Sequence, residues 1–94
     1  EKVLIGKVLA EAQNFARDLV NTPPNEINPE TFAQIAKEIA QAYGFEVDIK
    51  DPCWVEKEMP GLWAVGKGSS TKPRFIHLIY KPQGEAKKKI AFVG

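Results

Sequence analysis

The strongest constraint on the fold of this chain is a pair of dipeptides, Asn28-Pro29 and Asp51-Pro52, in which a helix-capping residue precedes a proline. Asn and Asp side chains accept hydrogen bonds from the free N–H groups at a helix start, and proline suits the first helical position. Each pair therefore predicts the start of a helix, the second one short, over about 52–58. Gly44 predicts a left-handed end for the helix that starts at Pro29.

Two segments repeat apolar residues at helical spacing, and Pro23-Pro24 separates them. Two consecutive prolines remove backbone donors and force an extended path, so they end the first helix. The first apolar stripe consists of Ile5, Val8, Ala12, Phe15, Ala16 and Leu19. The second, predicted to be buried, consists of Phe32, Ile35, Ala36, Ile39, Ala40 and Tyr43.

Three further segments read as strands. Phe45–Ile49 alternates apolar and polar residues, 74–81 is rich in large apolar residues, and Ile90–Val93 is a continuous apolar run of the kind buried on both faces. Leu62–Val65 favours a short helix before the Gly-rich loop. This order predicts an α/β fold in one segment, 1–94, with helices packed on a small mixed sheet of at least three strands.

Composition argues against several classes of protein. The 13 basic and 12 acidic residues leave a net charge of +1, without the concentrated basic patch that nucleic acids or membrane surfaces require. Cys53 is the only cysteine, so no internal disulfide forms, which fits a reducing compartment. No apolar run approaches the ~20 residues of a membrane span.

The single histidine and the single cysteine are the obvious candidates for chemistry. His77 lies within a predicted strand, where a lone histidine is usually a hydrogen-bonded core or interface residue. No second His or Cys stands at metal-ligand spacing. A helix start could lower the pKa of Cys53. No histidine lies near it in sequence to act as a base, so a partly buried, inert thiol is the favoured interpretation.

The charged residues and the Gly-rich loop give no stronger signal. Four carboxylates that could be paired in an acid–base site are better explained by a solvated face: Asp48, Asp51, Glu56 and Glu58. The lysines at 87–89 favour a solvated turn before a buried strand. The loop 66–71 lacks the glycine and lysine spacing of a phosphate-binding P-loop, and a strand follows it rather than a helix.

Several blocks of the sequence together resemble the opening of the catalytic domain of leucine aminopeptidases, also called cytosol aminopeptidases. The most specific block is 15–25, which reads FARDLVNTPPN, and it is followed by NPET at 28–31. The likeness continues through MPGLWAVGKGS at 59–69, FIHLIYK at 75–81 and KIAFVG at 89–94. It covers nearly the whole chain, and its strand sequences look most like the plant and cyanobacterial branch.

This resemblance implies a larger three-layer α/β/α peptidase domain, of which the chain is the N-terminal part. It implies a two-metal hydrolase, using zinc, manganese or magnesium, that removes N-terminal residues from peptides. The intact enzyme is expected to be a cytoplasmic homohexamer, or plastid-located in a plant. The family's first metal-binding segment, Lys-Gly-x-x-x-Asp-x-Gly-Gly, is expected immediately after Gly94. We therefore expect both ends of the chain to be cut.

The resemblance assigns no catalytic, metal or cofactor-binding residue to these 94 positions. Its departure from the family pattern is Pro60 after Met59, which bears on the local helix geometry. Two alternatives remain open. The chain is either part of the peptidase or a stand-alone α/β binding module without catalysis, and a small nucleotide-binding domain is a poorer third option that rests on 66–70 alone.

Overall fold

A computed structural model describes residues 1–94 as four helices and one two-stranded sheet. The elements in chain order are α1 (Lys2–Asn21), α2 (Pro29–Tyr43), β1 (Glu46–Lys50), α3 (Pro52–Glu58), α4 (Pro60–Gly66) and β2 (Phe75–Ile79). The α/β class and the short helices at 52–58 and 62–65 are thus confirmed. No helix of the chain has the combination of length and hydropathy needed to cross a bilayer.

The sheet is an antiparallel pair in which Glu46 lies opposite Ile79 and Lys50 lies opposite Phe75. Side chains alternate between the two faces of a strand, so residues that lie opposite each other share a face. One face carries Val47 and Ile49 with their apolar partners on β2. The other carries the charged residues of β1 opposite Phe75, His77 and Ile79.

Helix α2 packs on the sheet through three buried alanines, Ala33, Ala36 and Ala40. Their small side chains allow the helix to lie close to the strands. The predicted stripe is only partly correct, because Ile35 and Ile39 are half-buried, whereas Phe32 and Tyr43 at its ends are exposed. The predicted caps are present at both ends, including a left-handed Gly44 with φ 73°.

The short helices α3 and α4 form a corner beside the sheet. Asp51 caps α3, and Val55 is fully buried at 0% exposure. The Trp54 ring lies 6.0 Å from that of Phe75 and has the Lys50 ammonium 5.4 Å from its centre. Pro60 occupies the first turn of α4, so the proline that departs from the family pattern fits a helix start.

The predicted third strand is wrong for this chain, and so is the mixed sheet. Residues 90–93 have no regular secondary structure, and Ile90, Phe92 and Val93 are 76%, 96% and 96% exposed. A strand requires a neighbour for its backbone hydrogen bonds, and β1 and β2 pair only with each other. The sheet is therefore purely antiparallel.

Helix α1 differs from α2 in that it buries none of its residues. Its apolar stripe is largely exposed along its length, from Ile5 through Val8 to Phe15. The only side-chain ion pair within α1 joins Lys7 and Glu11 across one helical turn at 3.8 Å. Both side chains are exposed to solvent, so the pair contributes little to stability.

Candidate functional site

The loop between α1 and α2 is the most densely hydrogen-bonded part of the surface. Asn28 Oδ1 accepts from the backbone N–H groups of Glu30 and Thr31 at 3.0 and 3.1 Å. Thr31 Oγ1 accepts from the N–H of Asn28 at 2.9 Å and donates to the Glu26 carbonyl at 2.7 Å. These donors at the start of α2 are thus satisfied within the protein. The predicted capping role of this loop is confirmed.

Two shallow clefts meet at Arg74, just before β2. Arg74 Nη2 lies 4.0 Å from Glu30 Oε1, too far for a hydrogen bond, and its Nε is buried with no partner. The first cleft, of about 390 Å³, is lined by Glu30, Thr31, Ala33, Gln34, Lys37, Ile49 and Arg74. The second, of about 380 Å³, is lined by Ile27, Asn28, Pro29, Phe32, Leu62, Pro73 and Arg74.

These clefts have the chemistry of a contact surface rather than of a catalytic centre. Neither contains a Cys, His or Ser side chain, and the Thr31 hydroxyl is already hydrogen-bonded. The guanidinium of Arg74 has unused donor capacity, and so does the ammonium of Lys37 in the first cleft. Sequence reasoning did not single out Arg74, because an arginine beside a strand start carries no distinctive pattern.

His77 lies on the same face of the sheet as Phe75 and Ile79. It is exposed, makes no side-chain hydrogen bond, and has its ring centre 6.4 Å from that of Phe75. The prediction of a hydrogen-bonded core residue is therefore wrong, whereas a place at an interface stays a prediction. Asp48 lies opposite His77 in the register, but its Oδ2 pairs with Lys50 Nζ at 2.9 Å. This carboxylate does not orient the imidazole.

Asp51 and the candidate residues of α3 either stabilise the helix or have no side-chain partner. Asp51 Oδ1 accepts from the Trp54 N–H at 2.8 Å and so serves as the helix cap. Cys53 is free and exposed, which corrects the prediction of a partly buried thiol. Glu56 and Glu58 are exposed, as predicted for a solvated face. None of these groups has a partner suited to nucleophilic or acid–base chemistry.

The loop 66–71 is closed by its own hydrogen bonds. Ser69 N–H donates to the Gly66 carbonyl at 3.1 Å, and Lys72 Nζ donates to the carbonyls of Lys67 and Ser69 at 2.6 and 2.8 Å. A Cβ on Gly66 would lie 2.9 Å from the ring of Pro73, so this glycine permits close packing. The Lys72 ammonium is therefore already bound within the loop and is not free to hold a phosphate.

The residues present do not fit a two-metal centre. No group of three or more His, Cys, Asp or Glu side chains is arranged to hold a metal ion. The candidate carboxylates are separated by their local roles, since Asp48 pairs with a lysine and Asp51 caps a helix. The lysines at 87–89 are exposed and lie beside no carboxylate pair.

Comparison with known proteins relates the chain to one protein family. A model of the catalytic domain of the cytosol aminopeptidase family matches residues 14–94. Relatives from Aquifex aeolicus and Persephonella marina, each named "Probable cytosol aminopeptidase", are both 55% identical over the whole chain. A relative of the same name from Rippkaea orientalis is 44% identical.

These matches also define how much of a relative the chain represents. It spans 19% of the length of each of these three relatives. The narrower likeness to plant and cyanobacterial members has only loose support among them. No solved structure matches the chain. The match over residues 14–94, together with identity across the whole length, shows that the chain belongs to the cytosol aminopeptidase family and corresponds to the start of its catalytic domain.

Proposed function

We propose that the chain is a scaffold segment of a metal-dependent leucyl aminopeptidase that removes N-terminal amino acids from peptides. The observation that carries this proposal is the match of residues 14–94 to the catalytic domain of the family. The names of the relatives support the reaction class. The absence of a ligand cluster from the fold is the reason for proposing scaffold rather than catalyst.

In this proposal the metal ligands are supplied by other residues of the peptidase domain. Zinc, manganese or magnesium would there activate a water molecule and polarise the peptide carbonyl. Two carboxylates of this segment have structural roles, since Asp48 pairs with Lys50 and Asp51 caps α3. We therefore assign no metal ligand, no cofactor-binding group and no proton-transfer step to residues 1–94.

The proposed partners are the remainder of the peptidase domain and, for the intact enzyme, a peptide substrate. The exposed apolar residues Ile90, Phe92 and Val93 suit a segment that pairs or packs within a larger domain. The assembly we propose is a homohexamer, and the location is the cytoplasm, or a plastid if the source is a plant. Neither nucleic acid nor a membrane belongs to the proposal.

The direct test is an assay of the chain for leucyl-anilide hydrolysis with added manganese. We expect no turnover above a blank that contains only the metal, because the chain lacks a ligand cluster. Turnover above that blank would show that the segment is catalytic by itself and would overturn the scaffold role.

A chimera tests whether the scaffold is equivalent to that of a relative. The residues of the Aquifex aeolicus relative that align with this chain would be replaced by residues 1–94, with the unchanged relative as control. If the relative hydrolyses leucyl-anilide, the chimera should retain hydrolysis within about tenfold, because 55% identity preserves the packing pattern. A folded but inactive chimera would contradict the proposal.

A stand-alone interaction module is the second candidate function. It is favoured by the apolar side chains exposed along α1 and at 90–93. The two candidates differ in the gene: a continuation after Gly94 that encodes Lys-Gly-x-x-x-Asp supports the peptidase, whereas a stop codon supports the module.

A further inference from the structure

We draw no further inference here: the strongest candidate, the cleft between α2 and the start of β2 in which Arg74 Nε is buried without a partner and Lys37 is a second cation, carries nothing, because Glu30 already lies 4.0 Å from the guanidinium and nothing in the structure shows whether a ligand or another part of the catalytic domain fills the cleft.

Discussion

Helices α1 and α2 carry similar apolar stripes, yet only α2 buries its stripe. α2 places Ala33, Ala36 and Ala40 against the sheet, whereas the longer α1 buries nothing. Both segments show the same sequence periodicity, so periodicity predicts which side of a helix is apolar but does not predict what covers it. Burial depends on whether a complementary surface lies within reach of the helix.

α2 packs on the sheet because the loop that joins it to β1 is short. The left-handed Gly44 turns the chain directly from α2 into β1, so the helix and the strand meet after a very short loop. Short loops cost little closure entropy, and contacts between neighbouring elements form easily. α1 is joined to α2 through a turn rather than the expected extended path, since the Pro23 carbonyl accepts from the N–H groups of Glu26 and Ile27 at 3.0 Å. α2 already packs on the sheet. α1 is thus left without a surface to cover.

The largest expected difference between the two helices comes from a buried charge. Ala36→Glu places an unpaired carboxylate in the core and should lower the free energy of unfolding by about 3–5 kcal/mol. The matched change Ala12→Glu on α1 should alter it by less than about 0.5 kcal/mol, because the position is exposed. Urea unfolding followed by tryptophan fluorescence measures both. Equal losses would show that α1 packs on the core.

Truncation of a buried valine gives the next largest effect. Val55→Ala removes two methyl groups from a fully buried side chain and should cost about 2 kcal/mol of unfolding free energy. Val8→Ala on α1 should be neutral or slightly stabilising, because Val8 is 56% exposed and alanine has the higher helix propensity. The same urea titration compares them. A loss above about 1 kcal/mol for Val8→Ala contradicts a free α1.

Removal of a cap should have a smaller effect, confined to α2. Asn28→Ala leaves the N–H groups of Glu30 and Thr31 without their acceptor and should cost about 1 kcal/mol. Asn21→Ala at the end of α1 should cost almost nothing, since no cap hydrogen bond is lost there. Thermal unfolding at fixed chain concentration provides the measurement. If Asn21→Ala lowers the stability as much as Asn28→Ala does, local capping does not explain the stability of α2.

Local signals were sufficient for most of the secondary structure. The pairs Asn28-Pro29 and Asp51-Pro52 placed two helix starts correctly, because capping depends only on the adjacent backbone. Gly44 was identified as a left-handed end for the same reason. The family was also recognisable, because its most specific block, 15–25, covers the end of α1 and the start of the following loop and falls within the matched residues 14–94.

Features that depend on distant partners were not predictable from the sequence. Ile90–Val93 has the composition of a buried strand, but a strand forms only where another strand accepts its hydrogen bonds. His77 was expected to be a core or interface residue, and the sequence does not reveal that its side chain is exposed within this chain. Arg74 became visible only through the position of its buried Nε between two clefts.

Two glycines offer the finest comparison, because their substitution should act with opposite signs. Gly44→Ala forces alanine into a left-handed conformation at φ 73° and should destabilise the fold by about 1 kcal/mol. Gly6→Ala lies inside α1 with open space around it, so it should favour that helix by about 0.5–1 kcal/mol.

The readouts of the glycine variants separate a coupled helix from an independent one. Gly6→Ala should increase helical circular dichroism at elevated temperature, yet leave the unfolding midpoint reported by tryptophan fluorescence unchanged, because α1 shares no buried contact with the core. Gly44→Ala should lower that midpoint. A rise in the fluorescence midpoint with Gly6→Ala would mean that α1 and the core unfold as one cooperative unit. The two helices would then differ in how much of their surface is exposed, but α1 would not unfold independently of the core.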